Sequence, residues 1–275
     1  MSNNPLKNYF RKPALYLKLP SKGIGYNEGD INMPESGEIP IYPMTALDEI
    51  TTRTPDALFN GQAVVEIIHS CAPNIVNPWH LLQIDLDPLL LAIKIATNGS
   101  TMEIESTCPG CKESTKYDIN LTGMLNEFTP GDYTKLYKVD DQVEIKFKPL
   151  AYNKVNETSQ KQFDLQRAFS IITRLDEGED KENKMSELVK EMNIVANELI
   201  LDLIEYVKTP DSVVLEREFI KEYLENVSKK SYDMIRDHSI NLKKSTEAKP
   251  LAFTCQQCSH QYEQPFDLNV TDFFV

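Results

Sequence analysis

Two cysteine pairs with the same two-residue gap constrain this chain of 275 residues more than any other feature. The pairs are Cys108-Pro-Gly-Cys111 and Cys255-Gln-Gln-Cys258, and each follows a short apolar run that ends in Thr-Cys. A similar segment comes after each pair, Tyr117–Leu121 in the first case and Phe266–Val270 in the second. This degenerate repeat predicts two hairpins, each built from a strand, a cysteine knuckle and a return strand.

Four thiolates in two such hairpins are the ligand set of a tetrahedral structural zinc ion. We therefore predict that Cys108, Cys111, Cys255 and Cys258 bind one structural Zn²⁺, which would join the end of the chain to its middle. The two-residue gap lets one tight turn present both sulfurs, and the glycine between the first two cysteines suits such a turn. His260 is the alternative ligand, although a solvated position in the hairpin is the simpler interpretation.

Two other interpretations of the cysteine pairs stay open. The four thiols could be unligated, or one pair could be a thioredoxin-like dithiol. Neither pair opens a helix after a strand, which is the position that lowers the thiol pKa in that motif. The fifth cysteine, Cys71, lies in an apolar helical stretch and is predicted to be a small core side chain.

Composition narrows the classes of partner. The formal net charge of −13 argues against a general affinity for the nucleic-acid backbone. No run of about 18 apolar residues is present, so we predict no membrane contact. The N-terminus lacks the charged-then-apolar pattern of a secretory signal. Five cysteines, four of them in metal spacing, fit a reducing compartment, so we expect a protein that is made and used in the cytoplasm.

The familiar catalytic motifs are absent from the sequence, which has no glycine-rich phosphate loop, no His-Glu-x-x-His and no Gly-x-Ser-x-Gly. Asp85 and Asp87 could be paired catalytic carboxylates, but the proline directly after Asp87 favours helix capping. A zinc ion would use all four cysteines and leave no open position for a catalytic water. The sequence therefore predicts a binding or structural protein without catalytic residues, rather than an enzyme.

The sequence predicts an α+β fold, with a mostly helical body and a small β-hairpin subdomain that holds the four cysteines like a zinc ribbon. Five segments are predicted: an extended N-terminal arm over residues 1–43, a helical region over 44–99, the first knuckle with further strands over 100–150, a helical bundle or hairpin over 151–245, and the second knuckle with a C-terminal tail over 246–275, packed on 100–150. The arm either packs along the body or docks onto a partner.

Local signals place several helix ends and one strand. Thr45 with Asp48 resembles a capping box, and Asn98-Gly99 is expected to end a helix. Three helix starts have a capping residue followed by proline: Thr54-Pro55, Asn77-Pro78 and Asp87-Pro88. Polar and apolar residues alternate over Val143–Phe147, which predicts a strand with one buried face.

Two helical regions have different apolar patterns. From Leu81 to Ile95 the apolar residues run nearly all the way round, which predicts a central position. Residues 153–241 are predicted to be helical throughout, as three helices with short connections, the third over Ser212–Asp237. Their clearest apolar stripe runs from Met185 to Leu203. Such a stripe usually faces a core, and the alternative is an exposed face that binds a partner.

Four stretches resemble the T4-type bacteriophage baseplate protein family: Leu19–Tyr26, Ile41–Ile50, Thr54–Gly61 and Asp85–Lys94. The resemblance covers roughly residues 15–125. It implies a non-catalytic protein of a contractile-tail phage, either a baseplate hub component or a hub assembly chaperone. It also implies other tail and baseplate hub proteins as partners, and a location in the host cytoplasm during assembly or in the tail of the virion.

Two alternative functions compete with this one. A zinc-ribbon nucleic-acid binder needs basic and aromatic residues grouped on its knuckles. Here acidic residues stand close to the basic and aromatic ones: Lys112, Lys116 and Tyr117 against Glu113, Asp118, Glu263 and Asp267. A dithiol oxidoreductase needs cysteines that react in the native state, whereas a four-thiolate zinc site protects all four. We therefore expect protein partners and no nucleic acid.

Overall fold

The computed structural model describes residues 4–52, 61–174 and 178–266. Within these ranges it contains eight α-helices and four small antiparallel sheets, which confirms the α+β class. The chain divides into two compact units, one made of residues 1–129 and 247–275 and the other of residues 130–246. No helix among the described residues is long and apolar enough to cross a membrane.

The elements have the following bounds in chain order: β1 (Leu15–Leu17), β2 (Ile39–Ile41), α1 (Ala46–Thr52), α2 (Gln62–Cys71), α3 (Gln83–Asn98), β3 (Thr101–Thr107), β4 (Ser114–Asn120), α4 (Leu121–Leu125), β5 (Leu136–Lys138), β6 (Glu144–Phe147), α5 (Tyr152–Thr173), α6 (Glu179–Leu203), β7 (Ile204–Lys208), β8 (Val213–Val214), α7 (Arg217–Asn226), α8 (Lys229–Thr246), β9 (Leu251–Thr254) and β10 (Gln261–Gln264). Short 3-10 helices span Pro5–Tyr9 and Pro78–His80. In the first unit β1 pairs with β2, β3 with β4 and β9 with β10, and the second unit has one sheet in the order β5-β6-β7-β8.

Helix α3 is the most buried element of the first unit. Its side chains are buried on nearly every side, as its apolar sequence predicts, and Leu89 and Leu91 are fully enclosed. Strands β1 and β2 pack against α3 and bury Leu17, Ile39 and Ile41. Each such aliphatic side chain stabilises the fold by about 1.5–3 kcal/mol relative to leaving it in water. The strands of the N-terminal arm therefore belong to the core of this unit.

Arg11 fastens the start of the chain to α1 and α2. Its Nη2 donates to the carbonyl oxygen of Ser70 at 2.8 Å and to Ser70 Oγ at 2.7 Å, and its Nη1 lies 3.3 Å from Asp48 Oδ2. Asp48 also closes the predicted capping box, which is confirmed. Its Oδ2 accepts from Thr45 N at 2.7 Å, while Thr45 Oγ1 accepts from Asp48 N at 3.3 Å.

The predicted helix start at Asp87-Pro88 is wrong. Helix α3 begins at Gln83, so Pro88 lies inside the helix and has no N–H to offer the carbonyl of Ile84. The apolar contacts of α3 on all sides outweigh this local defect. The capping role predicted for Asp87 is wrong as well, because the N-cap of α3 is Leu82 and Asp87 lies five residues further on, inside the helix.

Some of the other local predictions concern residues that the structure describes, and some do not. Gly99 with a φ of 96° ends α3, as predicted. Asn77-Pro78 opens only the short 3-10 helix Pro78–His80, and the Asn77 side chain does not cap it, so the predicted capping is wrong there. The alternating segment over Val143–Phe147 forms β6, also as predicted. The helix start at Thr54-Pro55 and the C-terminal tail after residue 266 lie outside the described residues.

The second unit packs its helices on its four-stranded sheet. The core consists of side chains from β6, β7 and the helices α6, α7 and α8, together with the residue that follows β5: Val139, Ile145, Phe147, Ile200, Leu201, Ile204, Val207, Ile220, Leu224, Ile235 and Leu242. Ile145 and Phe147 alternate with polar residues on β6, so the buried face of this strand is the one that its sequence predicts.

The prediction that residues 153–241 are helical throughout is wrong, because β7 and β8 lie within this range. Helix α6 ends at Leu203 and the chain continues directly as β7, which pairs with β6. Ile204–Val207 is rich in β-branched and aromatic residues, which favour a strand, but the helical stripe runs up to the preceding residue and hides the change. The predicted third helix is also divided, because Ser228 caps α8 by accepting a hydrogen bond from Ser231 N at 3.1 Å.

Candidate metal centre

The two cysteine pairs lie in the turns of two β-hairpins of the first unit. Strand β3 leads into Cys108 and β9 leads into Cys255, and the return strands β4 and β10 begin a few residues after each pair. Neither pair opens a helix, so the position that activates a thioredoxin-like dithiol is missing from both.

The two knuckles have the same backbone hydrogen bonds. Cys108 N donates to the carbonyl of Glu113, and Lys112 N donates to the carbonyl of Cys108, both at 2.9 Å. The equivalent bonds at 2.9 Å in the second knuckle are Cys255 N to His260 O and Ser259 N to Cys255 O. The sequence repeat therefore corresponds to a repeated local structure, although the residues between and after the cysteines differ.

Each knuckle needs one residue in the left-handed backbone conformation. Lys112 has a φ of 65° and Ser259 a φ of 58°, and each directly follows the second cysteine of its pair. Glycine would adopt this conformation without strain. Gly110 has a different role, since a Cβ there would lie 3.3 Å from the His260 ring. Sequence reasoning missed the left-handed positions because neither is occupied by glycine.

The structure brings the four predicted cysteines together. Their Sγ atoms all lie within 4.8 Å of one another, with Cys111 to Cys255 at 3.6 Å and Cys108 to Cys258 at 3.7 Å. A tetrahedral zinc with Zn–S bonds of about 2.3 Å requires sulfur–sulfur separations of about 3.8 Å. The arrangement therefore fits a four-thiolate zinc ion, with two ligands buried and two at the surface.

Backbone N–H donors and neighbouring sulfurs together shift the pKa values of two of the thiols in opposite directions. The N–H groups of Cys258 and Gln257 point at Cys255 Sγ and lower the pKa of that thiol to about 7. The N–H of Glu113 likewise lowers the pKa of Cys111, but sharing protons with the other three sulfurs outweighs it, and the pKa is raised to about 12. Four thiolates at this distance repel one another, and a divalent cation relieves that repulsion.

Side chains outside the knuckles also join the two hairpins. Ser106 Oγ lies 2.9 Å from Tyr262 OH and donates to Gln264 Oε1 at 2.7 Å. Tyr117 OH donates to a backbone carbonyl of β9 at 3.2 Å, and its ring lies 4.7 Å from that of Phe253, which is buried. This contact has few buried apolar side chains, so a metal ion would add a large share of its stability.

The remaining candidates lie apart from this cluster. His260 is exposed and stacks against Tyr262, with ring centroids 6.2 Å apart, while the group of close ligand atoms contains only the four cysteines. Cys71 is buried in α2, as predicted, and burial raises its pKa to about 11.

Asp85 is a buried structural carboxylate. Its Oδ1 accepts from Ser21 N at 2.8 Å and its Oδ2 accepts from Tyr26 OH at 2.7 Å, while Tyr26 OH accepts from Leu82 N at 3.0 Å. Burial raises the pKa of Asp85, although these hydrogen bonds oppose the shift. Asp85 thus holds the loop after β1 against α3, a role that neither the catalytic nor the capping interpretation of the sequence included.

Comparison with known proteins gives one finding. The model of a family described as T4 bacteriophage base plate protein matches residues 29–275, a range that includes both cysteine pairs and every element of the second unit. Searches of curated proteins and of solved structures each gave no match.

Proposed function

This chain belongs to the T4 bacteriophage base plate protein family, and we propose that it is a non-catalytic component of the hub of a phage tail baseplate. The observation that carries this proposal is the length of the family match, which takes in most of the chain rather than one motif. The protein would act through contacts with other tail and baseplate proteins. An assembly chaperone of the hub, which leaves before the particle is complete, is the alternative within the same family.

A structural zinc ion is the second part of the proposal. The sulfur positions of Cys108, Cys111, Cys255 and Cys258 support it, because they match the separations of a ZnS₄ site. The ion would stabilise the contact between two hairpins whose sequences lie more than a hundred residues apart. With four protein ligands the ion would have no open position for a reacting water, so its role would be structural rather than catalytic.

The charges on the hairpins favour a protein partner over nucleic acid. Lys116 Nζ lies 2.7 Å from Glu103 Oε1 across the β3–β4 pair, so its charge is matched within the hairpin. Glu113 and Glu263 are exposed beside the knuckles. A surface of this composition would repel phosphate groups.

The N-terminal segment is the surface that we propose for partner contact. Residues 1–27 contain five basic and no acidic residues in a chain of net charge −13. Lys7, Lys12 and Lys18 are exposed, and none has an ion-pair partner in the described part of the chain. Tyr9 and Tyr16 beside them are 85% and 63% exposed. Aromatic side chains surrounded by unmatched charge suit an acidic protein surface.

Peptide mass spectrometry of purified infectious particles, compared with the lysate of infected cells, tests the proposed role. Stoichiometric peptides in the particle would support a baseplate component. Abundance in the lysate in complex with tail proteins, without retention in the particle, would identify an assembly chaperone. A protein that binds no tail protein in either sample would contradict both.

Charge reversal tests the proposed surface. The variant with Lys7→Glu, Lys12→Glu and Lys18→Glu should lose capture of the tail partner found in the lysate. The matched control reverses three exposed lysines of the second unit, Lys138, Lys229 and Lys230, and should keep it. Equal loss in both variants would mean that net charge, rather than this surface, governs binding.

A further inference from the structure

Helices α5 and α6 form a long hairpin in the second unit. Residues 154–161 of α5 line one cleft with residues 194–202 of α6, and residues 161–168 line the next with 191–195, so the helices run antiparallel. The side of the hairpin that carries these clefts is charged, with Lys161, Asp164, Glu191 and Glu198 around it.

The side of α6 that lies about 100° round the helix from these clefts carries a largely exposed apolar row. Met185, Val189, Met192 and Ala196 follow one another at intervals of four, three and four residues, the spacing of a coiled-coil seam. Val189 and Met192 are 47% and 43% exposed, although this row belongs to the clearest apolar stripe of the sequence. The same stripe enters the core of the second unit at Ile200, which is buried. The seam therefore extends beyond the part of α6 that the unit itself covers.

Helix α5 has an uncharged but mostly polar row on the same side of the hairpin. The helical period places four uncharged residues there, again at intervals of four, three and four: Gln162, Gln166, Phe169 and Thr173. Phe169 is 45% exposed. The positions that flank the α6 row are also uncharged, with Ser186 and Asn193 on the outer flank and Leu188 and Val195 toward α5. This whole face, defined here as the seam face, carries no charge in a protein of net charge −13.

We propose that the seam face binds the seam face of a second copy of this chain, so that two hairpins form an antiparallel four-helix bundle. A spacing of four, three and four reads the same in both directions. A two-fold axis between residues 190 and 191 therefore sets Met185 opposite Ala196 and Val189 opposite Met192. Two-fold pairing of one surface with itself is the commonest way in which identical chains associate.

Charge favours a second copy over a helix of another protein. Coiled-coil partners of different sequence are usually selected by charged residues beside the seam. Here those positions are neutral, so nothing in the seam face selects a differently charged partner and nothing repels an identical one. The remaining surface, which is acidic, would stay in water on the outside of the bundle.

The size of the seam face sets the expected affinity. Each row spans 12 residues, or about 17 Å, and two helices side by side are about 20 Å wide. This footprint is well below the area of about 800 Å² per partner that is standard for stable complexes. We therefore expect a dissociation constant on the order of 10–100 µM.

Sedimentation velocity with light scattering tests the proposal over a range of about 1 to 200 µM. The native chain should change from monomer to dimer across this range. The double variant Val189→Glu with Met192→Glu should stay a monomer throughout, because glutamates would meet across the seam. The control Ile194→Glu changes a 59% exposed residue on the charged side of the same helix, and it should dimerise like the native chain.

Each outcome is decisive once circular dichroism has shown that the variants keep native helix content, as their exposed positions predict. A native chain that stays monomeric at about 200 µM would overturn the proposal and leave a helix of another protein as the occupant. A dimer that survives the double variant, or that is lost equally in Ile194→Glu, would place the contact on another face.

Discussion

Lys112 and Ser259 occupy equivalent positions in two knuckles that share no residue type there. Both adopt the left-handed conformation, because the chain must turn back after presenting its second sulfur. For a residue with a side chain this conformation costs about 1–2 kcal/mol. The knuckle therefore stores strain at a defined place, and the hydrogen bonds of Cys108 and Cys255 to the backbone beyond the turn hold it.

Replacing Lys112 by glycine should relieve this strain. We expect Lys112→Gly to stabilise the first unit by up to about 1 kcal/mol, since the gain is partly offset by the greater freedom of glycine in the unfolded chain. Urea unfolding followed by the fluorescence of Trp79, the only tryptophan, measures the change. Thr115→Gly within β4 is the control and should destabilise. A destabilised Lys112→Gly variant would show that the turn is not strained.

Asp30 should make stability depend on pH below about 5. Burial alone would raise its pKa, but hydrogen bonds from His80 and Asn27 outweigh burial and hold the pKa below its ordinary value. The contribution of a carboxylate with a lowered folded-state pKa is present above its unfolded pKa of about 4 and is lost as the pH falls through the folded value. The difference in unfolding free energy between the native chain and Asp30→Asn should therefore shrink as the pH falls from about 5 to about 3. A difference that is constant over this interval would contradict the assignment.

Sequence reasoning succeeds at the residue scale where the chemistry is local. Two residues between cysteines suffice to predict a knuckle, and Thr45 with Asp48 suffices to predict a cap, because both depend on neighbours in the chain. The roles of Asp85 and Arg11 depend on partners about sixty residues away, at Tyr26 and Ser70. No local pattern identifies such partners.

At the scale of elements, α6 is a helix with two environments. Its last turns lie in the core of the second unit, while Val189 and Met192 are exposed. The apolar stripe looks uniform in sequence, since periodicity reports which residues share a face and not what covers that face. The same uniformity hides the change to β7 after Leu203, where pairing with β6 outweighs helical propensity.

Two truncations in α6 separate these environments. Ile200→Ala should destabilise the second unit by about 2–5 kcal/mol, because it leaves a cavity in a closed core. Val189→Ala should cost less than about 0.5 kcal/mol when measured at low protein concentration, where the chain is monomeric. Urea unfolding followed by far-ultraviolet circular dichroism compares them. Equal costs would mean that the exposed stretch of α6 is covered within the monomer.

On the scale of the whole molecule, the chain leaves the first unit at residue 129 and returns to it at residue 247. The sequence repeat predicts that return, because matching knuckles imply a shared ion. The division at these residues could not be predicted from composition, because Pro130-Gly131 at the first point and Pro250 near the second also fit ordinary turns within one unit. The surfaces that partners cover also stay hidden in the sequence, because exposure is a property of the folded chain.

Chelation should affect the two units unequally. Removing the proposed zinc ion with a strong chelator should lower the unfolding midpoint reported by Trp79, which lies in the first unit, because binding energy at a thiolate site is also folding energy. The helical signal comes mostly from α5–α8 and should keep its midpoint. Equal shifts of both midpoints would show that the units unfold together.

Native mass spectrometry of the purified chain tests most directly whether one metal ion joins residues 108 and 258. The folded protein should have the mass of the chain plus one zinc ion. Cys108→Ser and Cys255→Ser should both lose the ion, since each removes one of four thiolates, while Cys71→Ala should keep it because Cys71 lies outside the cluster. A folded native chain without zinc, whose four knuckle thiols all react with an alkylating agent, would contradict the zinc site and the structural role proposed for it.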